Sequence, residues 1–291
     1  MEAATDQLSE PDPVRPSPLD SQISHADQLT YWSSQTADIT GMLGGYPQVS
    51  RIDLQGSKTF ISKVRRLSRI QASSSTTSAS QGTGQDEQNA PSAQAAAPPS
   101  TKTAKKMKLA LDCGAGIGRI SSGLLLNVAE MVDVIEPVAK FTDVLKEQQP
   151  DPSQGQLGEI FNVGLEDWVP PEDRRYDLVW VQWCLGHLTD KQAVAYLRVA
   201  AGALAGYGDQ PGTGVGDGEG QVQGWIMVKE NLSTDESGED IFDDEDSSVT
   251  RSDAKFKRLF EEAGLKIVKM DTQSGFPKSL YPVKMYALRP A

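Results

Sequence analysis

Leu111-Asp112-Cys113-Gly114-Ala115-Gly116-Ile117-Gly118-Arg119 is the stretch that decides the fold. It follows residues 108–112, a short apolar run that reads as a strand ending in an acid. It runs into residues 117–129, where Ile117, Ile120, Leu124 and Val128 recur at helical spacing. Glycines at such a junction let the backbone turn tightly and come close to a ligand. Working outward, strands are expected at 131–135, 176–183 and 224–228, and helices at 138–147, 193–204 and 253–263. Two closing strands follow at 265–270 and 284–288. Strand–helix alternation of this kind specifies an α/β fold with a mainly parallel sheet. Residues 25–70 read as a helical extension in front of it.

The folded part is one domain, 25–291, and the rest of the chain is low in complexity. Residues 1–24 hold four prolines among small polar residues and read as a disordered tail. Residues 72–105 form a Ser/Thr/Ala/Gln tract with no aromatic residue, and 206–223 is rich in glycine. Neither can bury enough apolar surface to offset its ordering entropy, so both read as insertions into one fold. The net charge is −12, which argues against binding to nucleic acid or an anionic membrane and favours basic partners. No apolar run approaches the roughly 18 residues of a membrane span. Two cysteines, Cys113 and Cys184, exclude a disulfide framework and a four-ligand zinc site, and fit a reducing compartment.

The spacing of the loop indicates its ligand. Dinucleotide enzymes use G-x-G-x-x-G to cradle a pyrophosphate. Here it is G-x-G-x-G, preceded by Asp112, the pattern associated with S-adenosylmethionine (SAM), which carries no phosphate. Glu136 ends the second strand, where an acid meets the ribose hydroxyls of an adenosyl ligand. Gly164-Leu165-Glu166-Asp167-Trp168 precedes the next strong strand and is placed to wall an adenine. The competing reading is a glycine-rich turn with no ligand. The three elements in order favour a SAM-dependent methyltransferase.

Further blocks narrow the class. The run from Leu111 to Ile120 closely resembles that of protein N-terminal (α-N) methyltransferases acting on Xaa-Pro-Lys/Arg termini. Tyr31-Trp32, Gly41-Met42-Leu43-Gly44-Gly45-Tyr46, the stretches 180–190 and 243–249, and Tyr281 with Ala287-Leu288-Arg289 are similar to blocks of the same family. The resemblance implies a class I, Rossmann-like methyltransferase. Its sheet would have seven mainly parallel strands with helices on both faces, behind an N-terminal helical extension. It further implies SAM as cofactor, no metal, and cytoplasmic protein N-termini exposed by Met removal as substrates, for example on ribosomal or chromatin proteins, with the nucleus as a second compartment.

Position by position, the resemblance carries cofactor contacts to Gly114, Arg119, Glu136, Leu165, Glu166 and Gln182. Glu136 stands where the family usually has Asp, and Glu166 where it commonly has Gln. The substrate groove is carried to Trp32, Leu43, Gly44, Val49, Trp183, Asn231, Asp243, Ser248 and Tyr281. Asp246 and His187 match the residues placed at the reacting amine. One family acid near Ser279 is absent.

The chemistry asks for these types. Methyl transfer needs a neutral amine, whereas an α-amine has a reference pKa of about 7.7–8.0. Carboxylates attract the cation but hold its proton, so a proton acceptor is needed. His187 titrates in the right range, and Asp246 is placed to act with it. The other histidine, His25, lies at the edge of the tail. Plainer readings remain: His187 as a hydrogen-bonded core histidine, Trp183 as packing, Asn231 as a turn residue. Trp180 is expected in the core. The stretch 235–246 holds eight acids and no base, most of them expected in a solvated loop. A methyltransferase for a small amine and a non-catalytic module that recruits basic tails stay open beside the α-N-methyltransferase.

Overall fold

The computed structural model of the protein describes residues 18–77, 105–148, 151, 153–207 and 223–291, with only the backbone for 69–77. Most of the three low-complexity stretches thus lies outside the described residues. A 3-10 turn, Pro18–Gln22, leads into α1 (His25–Ser34), α2 (Ile39–Met42) and a second such turn, Pro47–Val49. The long α3 (Ser50–Thr77) completes the expected helical front. The sheet then begins with β1 (Met107–Cys113) and a π-helical turn, Ser121–Leu125, that runs into α4 (Leu126–Val128). There follow β2 (Ala129–Ile135), α5 (Ala139–Glu147), β3 (Gln156–Phe161), β4 (Leu178–Gln182), a 3-10 turn at Leu185–His187, and α6 (Asp190–Gly202). The chain closes with β5 (Trp225–Asn231), β6 (Ile241–Asp243), β7 (Ser248–Thr250), α7 (Asp253–Glu262), β8 (Leu265–Thr272) and β9 (Val283–Pro290).

Seven strands form one sheet in the order β3-β2-β1-β4-β5-β9-β8, while β6 and β7 pair as a separate hairpin. The first five are parallel, and β9 runs antiparallel to both β5 and β8. This is the class I methyltransferase fold. Alternation along the strands sends side chains to two cores. Leu111, Val179 and Val181 face Leu197 of α6 and Phe256 and Phe260 of α7. Ala110, Val134 and Trp180 face Phe60 and Val64 of α3 and Leu124 of the π turn. All of β4 is buried, as a central parallel strand covered on both faces must be.

Several boundaries differ from the sequence reading. Residues 18–24, expected in the tail, are ordered: Ser24 caps α1, and its N–H donates to Ser247 Oγ at 2.8 Å. The expected helix 117–129 starts later and splits its apolar face. Ile117 packs with Val138 and Phe141, while Ile120 and Leu124 go under the sheet. The wider π turn lets Ser121 Oγ donate to Asp112 Oδ2 at 2.6 Å. Helix α6 starts at Asp190 because Thr189 and Gln192 form a capping box. Strand β5 runs on through Lys229 and Glu230, charged but buried, which the apolar pattern could not announce. Strand β3 and the hairpin β6–β7 were not expected: the first is a half-exposed edge, the second is hidden inside the acid run.

Arg251 ties the hairpin to the site. Its fully buried guanidinium donates to Asp190 Oδ1 and Leu185 O, each at 2.8 Å, and to Leu188 O, which fixes the turn carrying His187. Removing the guanidinium strips Asp190 of one of its two cations, Lys255 being the other, and takes the donor from the carbonyls of Leu185 and Leu188, together at about 3–5 kcal/mol. Arg251→Ala is therefore expected to lower the unfolding free energy by about that amount, read from urea denaturation.

Candidate active site

The parallel strands deliver their functional residues at their carboxyl ends. Gly114 follows β1, Glu136 follows β2, and Gln182 and Trp183 end β4. Between them lies a cavity of about 440 Å³, within the range of small-molecule sites. All six residues expected to touch the cofactor line it: Gly114, Arg119, Glu136, Leu165, Glu166 and Gln182. Gly116 has φ +55°, and a Cβ there would sit 2.6 Å from Met42 Sδ, so only glycine fits without displacement. His25, Gln28 and Trp32 of α1 roof the cavity. His25 Nδ1 lies 3.6 Å from Glu166 Oε1 across it.

Each anchor has a defined partner. Glu136 accepts the N–H of Gly116 at Oε2 and of Val138 at Oε1, both at 2.8 Å, and burial pushes its carboxyl up. Every oxygen keeps a lone pair for a further donor. Burial pushes Asp112 up to about 7, against the hydrogen bond from Ser121. Arg119 Nη1 donates to Asp53 Oδ2 at 2.7 Å, leaving other N–H groups of the fork for a ligand carboxylate. Gln182 is more committed than the sequence suggested: its amide donates to both oxygens of Asp53 at 3.1 Å and accepts from Trp180 Nε1 at 3.0 Å. An acid at the ribose end, a planar cation at the other and glycine backbone between fit the adenosyl and methionyl halves of SAM.

A second cavity, about 270 Å³, opens beside the first. Leu43, Gly44, Val49, Asn231, Asp246, Ser248 and Tyr281 line it. The two cavities share Trp32, Met42, Trp183 and His187, so they meet at those four side chains. One expected groove residue is elsewhere. Asp243 ends β6, exposed, with Oδ1 accepting the N–H of Glu245 at 3.0 Å, and it does not line the groove. A lone strand-end carboxylate is satisfied by its own turn, which the sequence could not reveal.

The geometry divides the roles of His187 and Asp246. Trp32 Nε1 donates to His187 Nε2 at 3.2 Å. An indole N–H can only donate, so Nε2 carries the lone pair and the proton of the neutral ring sits on Nδ1. That Nδ1 is buried with no partner among the described residues, as is Trp183 Nε1. Burial pushes His187 down to about 4, so the ring is neutral at physiological pH with its only lone pair taken. His187 therefore offers an N–H to the junction. Asp246 lines the second cavity half-buried, its Oδ1 accepting the N–H of Ser248 at 3.1 Å, and burial pushes its carboxyl up.

Sequence reasoning missed Met42, although it lies inside the quoted block 41–46, and Asn162, whose amide donates to Glu136 O at 2.8 Å. It also missed Asp53 and Lys229, buried behind the cavity. Glu136→Gln exchanges one acceptor for a donor at the mouth of the cofactor cavity, against the N–H groups of Gly116 and Val138. SAM affinity should fall by on the order of 1–3 kcal/mol, measured by isothermal titration; an unchanged affinity would contradict the placement.

Comparison with known proteins gives the family. The family model for AdoMet-dependent proline di-methyltransferases matches residues 20–86, 96–212 and 216–289. Alpha N-terminal protein methyltransferase 1 of Schizosaccharomyces pombe is 35% identical over 94% of this chain and 99% of its own length. N-terminal Xaa-Pro-Lys N-methyltransferase 1 of Xenopus tropicalis is 32% identical over 89% of this chain and 92% of its own. A solved SAM-dependent methyltransferase from Leishmania major superposes with a TM-score of 0.65 at 30% identity, covering 91% of this chain and 82% of that one. The chain thus belongs to the family of AdoMet-dependent proline di-methyltransferases, and SAM is its cofactor.

Proposed function

We infer that this protein methylates the α-amino group of protein N-termini that begin Xaa-Pro-Lys or Xaa-Pro-Arg once the initiator Met is gone. The observation that carries this reading is the second cavity, which meets the cofactor cavity at Trp32, Met42, Trp183 and His187. A small amine would need no such groove. When bound, SAM supplies a methyl group already activated by the sulfonium charge. The chain adds alignment, exclusion of water and a neutral nucleophile.

The amine belongs where the two cavities join. The orphan donors Trp183 Nε1 and His187 Nδ1 offer hydrogen bonds to a carbonyl oxygen of the first residue. Proline has no N–H, so as second residue it strands no donor against Trp32, Val49 and Trp183. The exposed acids Asp243, Asp244 and Glu245 on the β6–β7 hairpin supply the field for a basic third residue. Asp246 takes the proton that leaves the amine. Ribosomal and chromatin proteins with such termini are the natural candidates.

Mass spectrometry of a synthetic Xaa-Pro-Lys peptide incubated with SAM tests the reading. Methyl groups localised to the α-nitrogen, and none on an acetylated control, support it. Methylation of the lysine side chain instead would overturn it. Asp246→Asn is expected to lower kcat by roughly 100-fold with SAM affinity near normal, the range for loss of a positioned proton acceptor. Activity should rise with pH through the amine range, about 7.7–8.0. Because His187 gains a proton only near about 4, His187→Asn should lower kcat while leaving that midpoint in place. A shifted midpoint would return the base role to the histidine.

A further inference from the structure

Asp53 lines neither cavity, yet the side chains of Arg119, Gln182 and Lys229 converge on it. It lies in the first turn of α3 with no solvent exposure. Its Oδ2 receives Arg119 Nη1 at 2.7 Å, its Oδ1 receives Lys229 Nζ at 2.5 Å, and both oxygens receive the amide of Gln182 at 3.1 Å. Lys229, equally buried, also donates to Asp53 O at 3.1 Å, Ser57 Oγ at 3.0 Å and Gln273 Oε1 at 2.8 Å. On the cavity side the Arg119 guanidinium lies over the Trp183 ring, 5.4 Å from its centre. One anion thus holds the cation of the cofactor cavity, and that cation covers an aromatic wall of the groove.

Charge balance gives the arrangement a direction. Asp53 stays ionised: burial alone would raise it, but Lys229 and Arg119 together bring it below the usual carboxylate range. Asp53 faces two cations, Lys229 and Arg119, and Asp112 adds its field on Arg119 from the glycine loop; a ligand carboxylate on the free side of the Arg119 fork would add to that balance. Without Asp53, nothing on α3 fixes the fork, and the guanidinium loses both its orientation toward the cavity and its seat on Trp183.

We propose that Asp53 is a positioning residue that sets Arg119 and Trp183 as one unit, so that filling the carboxylate end of the cofactor cavity also fixes the peptide wall. The peptide part rests on the function inferred above; the cofactor part does not. Titration of the full chain with S-adenosylhomocysteine and with 5′-methylthioadenosine, which lacks the amino-acid half, separates positioning from general damage. In Asp53→Asn, S-adenosylhomocysteine should weaken by roughly tenfold while methylthioadenosine stays near its wild-type affinity. The factor by which S-adenosylhomocysteine tightens an Xaa-Pro-Lys peptide, of order five or more in the wild type, should fall toward one. Should Asp53→Asn fail to fold because Lys229 loses its counter-charge, Asp53→Asn with Lys229→Met removes both charges and carries the same expectation.

Equal weakening of the two nucleosides, or none of either, would overturn the proposal. So would a coupling factor that persists in the variant. A peptide that never binds the wild type would fault the substrate reading alone, and the nucleoside comparison would still decide the role of Asp53.

Discussion

This parallel sheet is wound in two directions, and the winding reverses between β1 and β4. From β1 the chain crosses outward to β2 and β3; from β4 it crosses the other way to β5. The two connections leave in opposite directions, and the carboxyl ends of the central strands are left facing a crevice that no crossover fills. The cofactor side of the site is attached there. The glycine loop, Glu136, Gln182 and Trp183 each sit within a residue or two of a strand end, held by a ladder of backbone hydrogen bonds rather than by loops. The helical front then closes the crevice, with α1 as roof and α3 as back wall.

That logic explains what could be read from the chain alone. The loop 112–119 and the acid at 136 are local signals, fixed by the geometry of one strand-to-helix junction and the next. Strand–helix alternation is similarly local, so the sheet and the helical front were legible. Strand β3 was not, because an edge strand with Gly158 and Glu159 in its middle shows neither a buried run nor clean alternation. The hairpin β6–β7 was not, because its three-residue strands lie inside or beside a run of acids whose composition says loop. Asp53 and Lys229 were invisible for a different reason. A charged residue looks like a surface residue until the fold shows its partner 176 positions away.

The acid run itself illustrates how one sequence feature serves two physical ends. Asp243, Asp244 and Glu245 remain in solvent, where their charges act at a distance and are screened by salt. Asp246, next along the chain, is turned inward and half-buried, where burial shifts its carboxyl up. The left-handed backbone of Ser247, φ +55°, sits at this change of direction, and its hydroxyl binds the segment leading into α1. Charge counting treats these four acids alike; their surroundings do not.

Trp183 also adopts φ +55°, a region costly to a bulky side chain. Its N–H is held by Lys229 O at 3.1 Å, while Glu230 accepts the next two N–H groups, of Cys184 and Leu185, at 3.0 Å each. Such a conformation persists only where the surroundings impose it, at a cost of order 1–3 kcal/mol. Glycine at this position would relieve that cost and delete the aromatic wall in the same step. Backbone ease and the wall shared by the two cavities therefore pull in opposite directions at residue 183, and the indole is kept there against the preference of its own backbone.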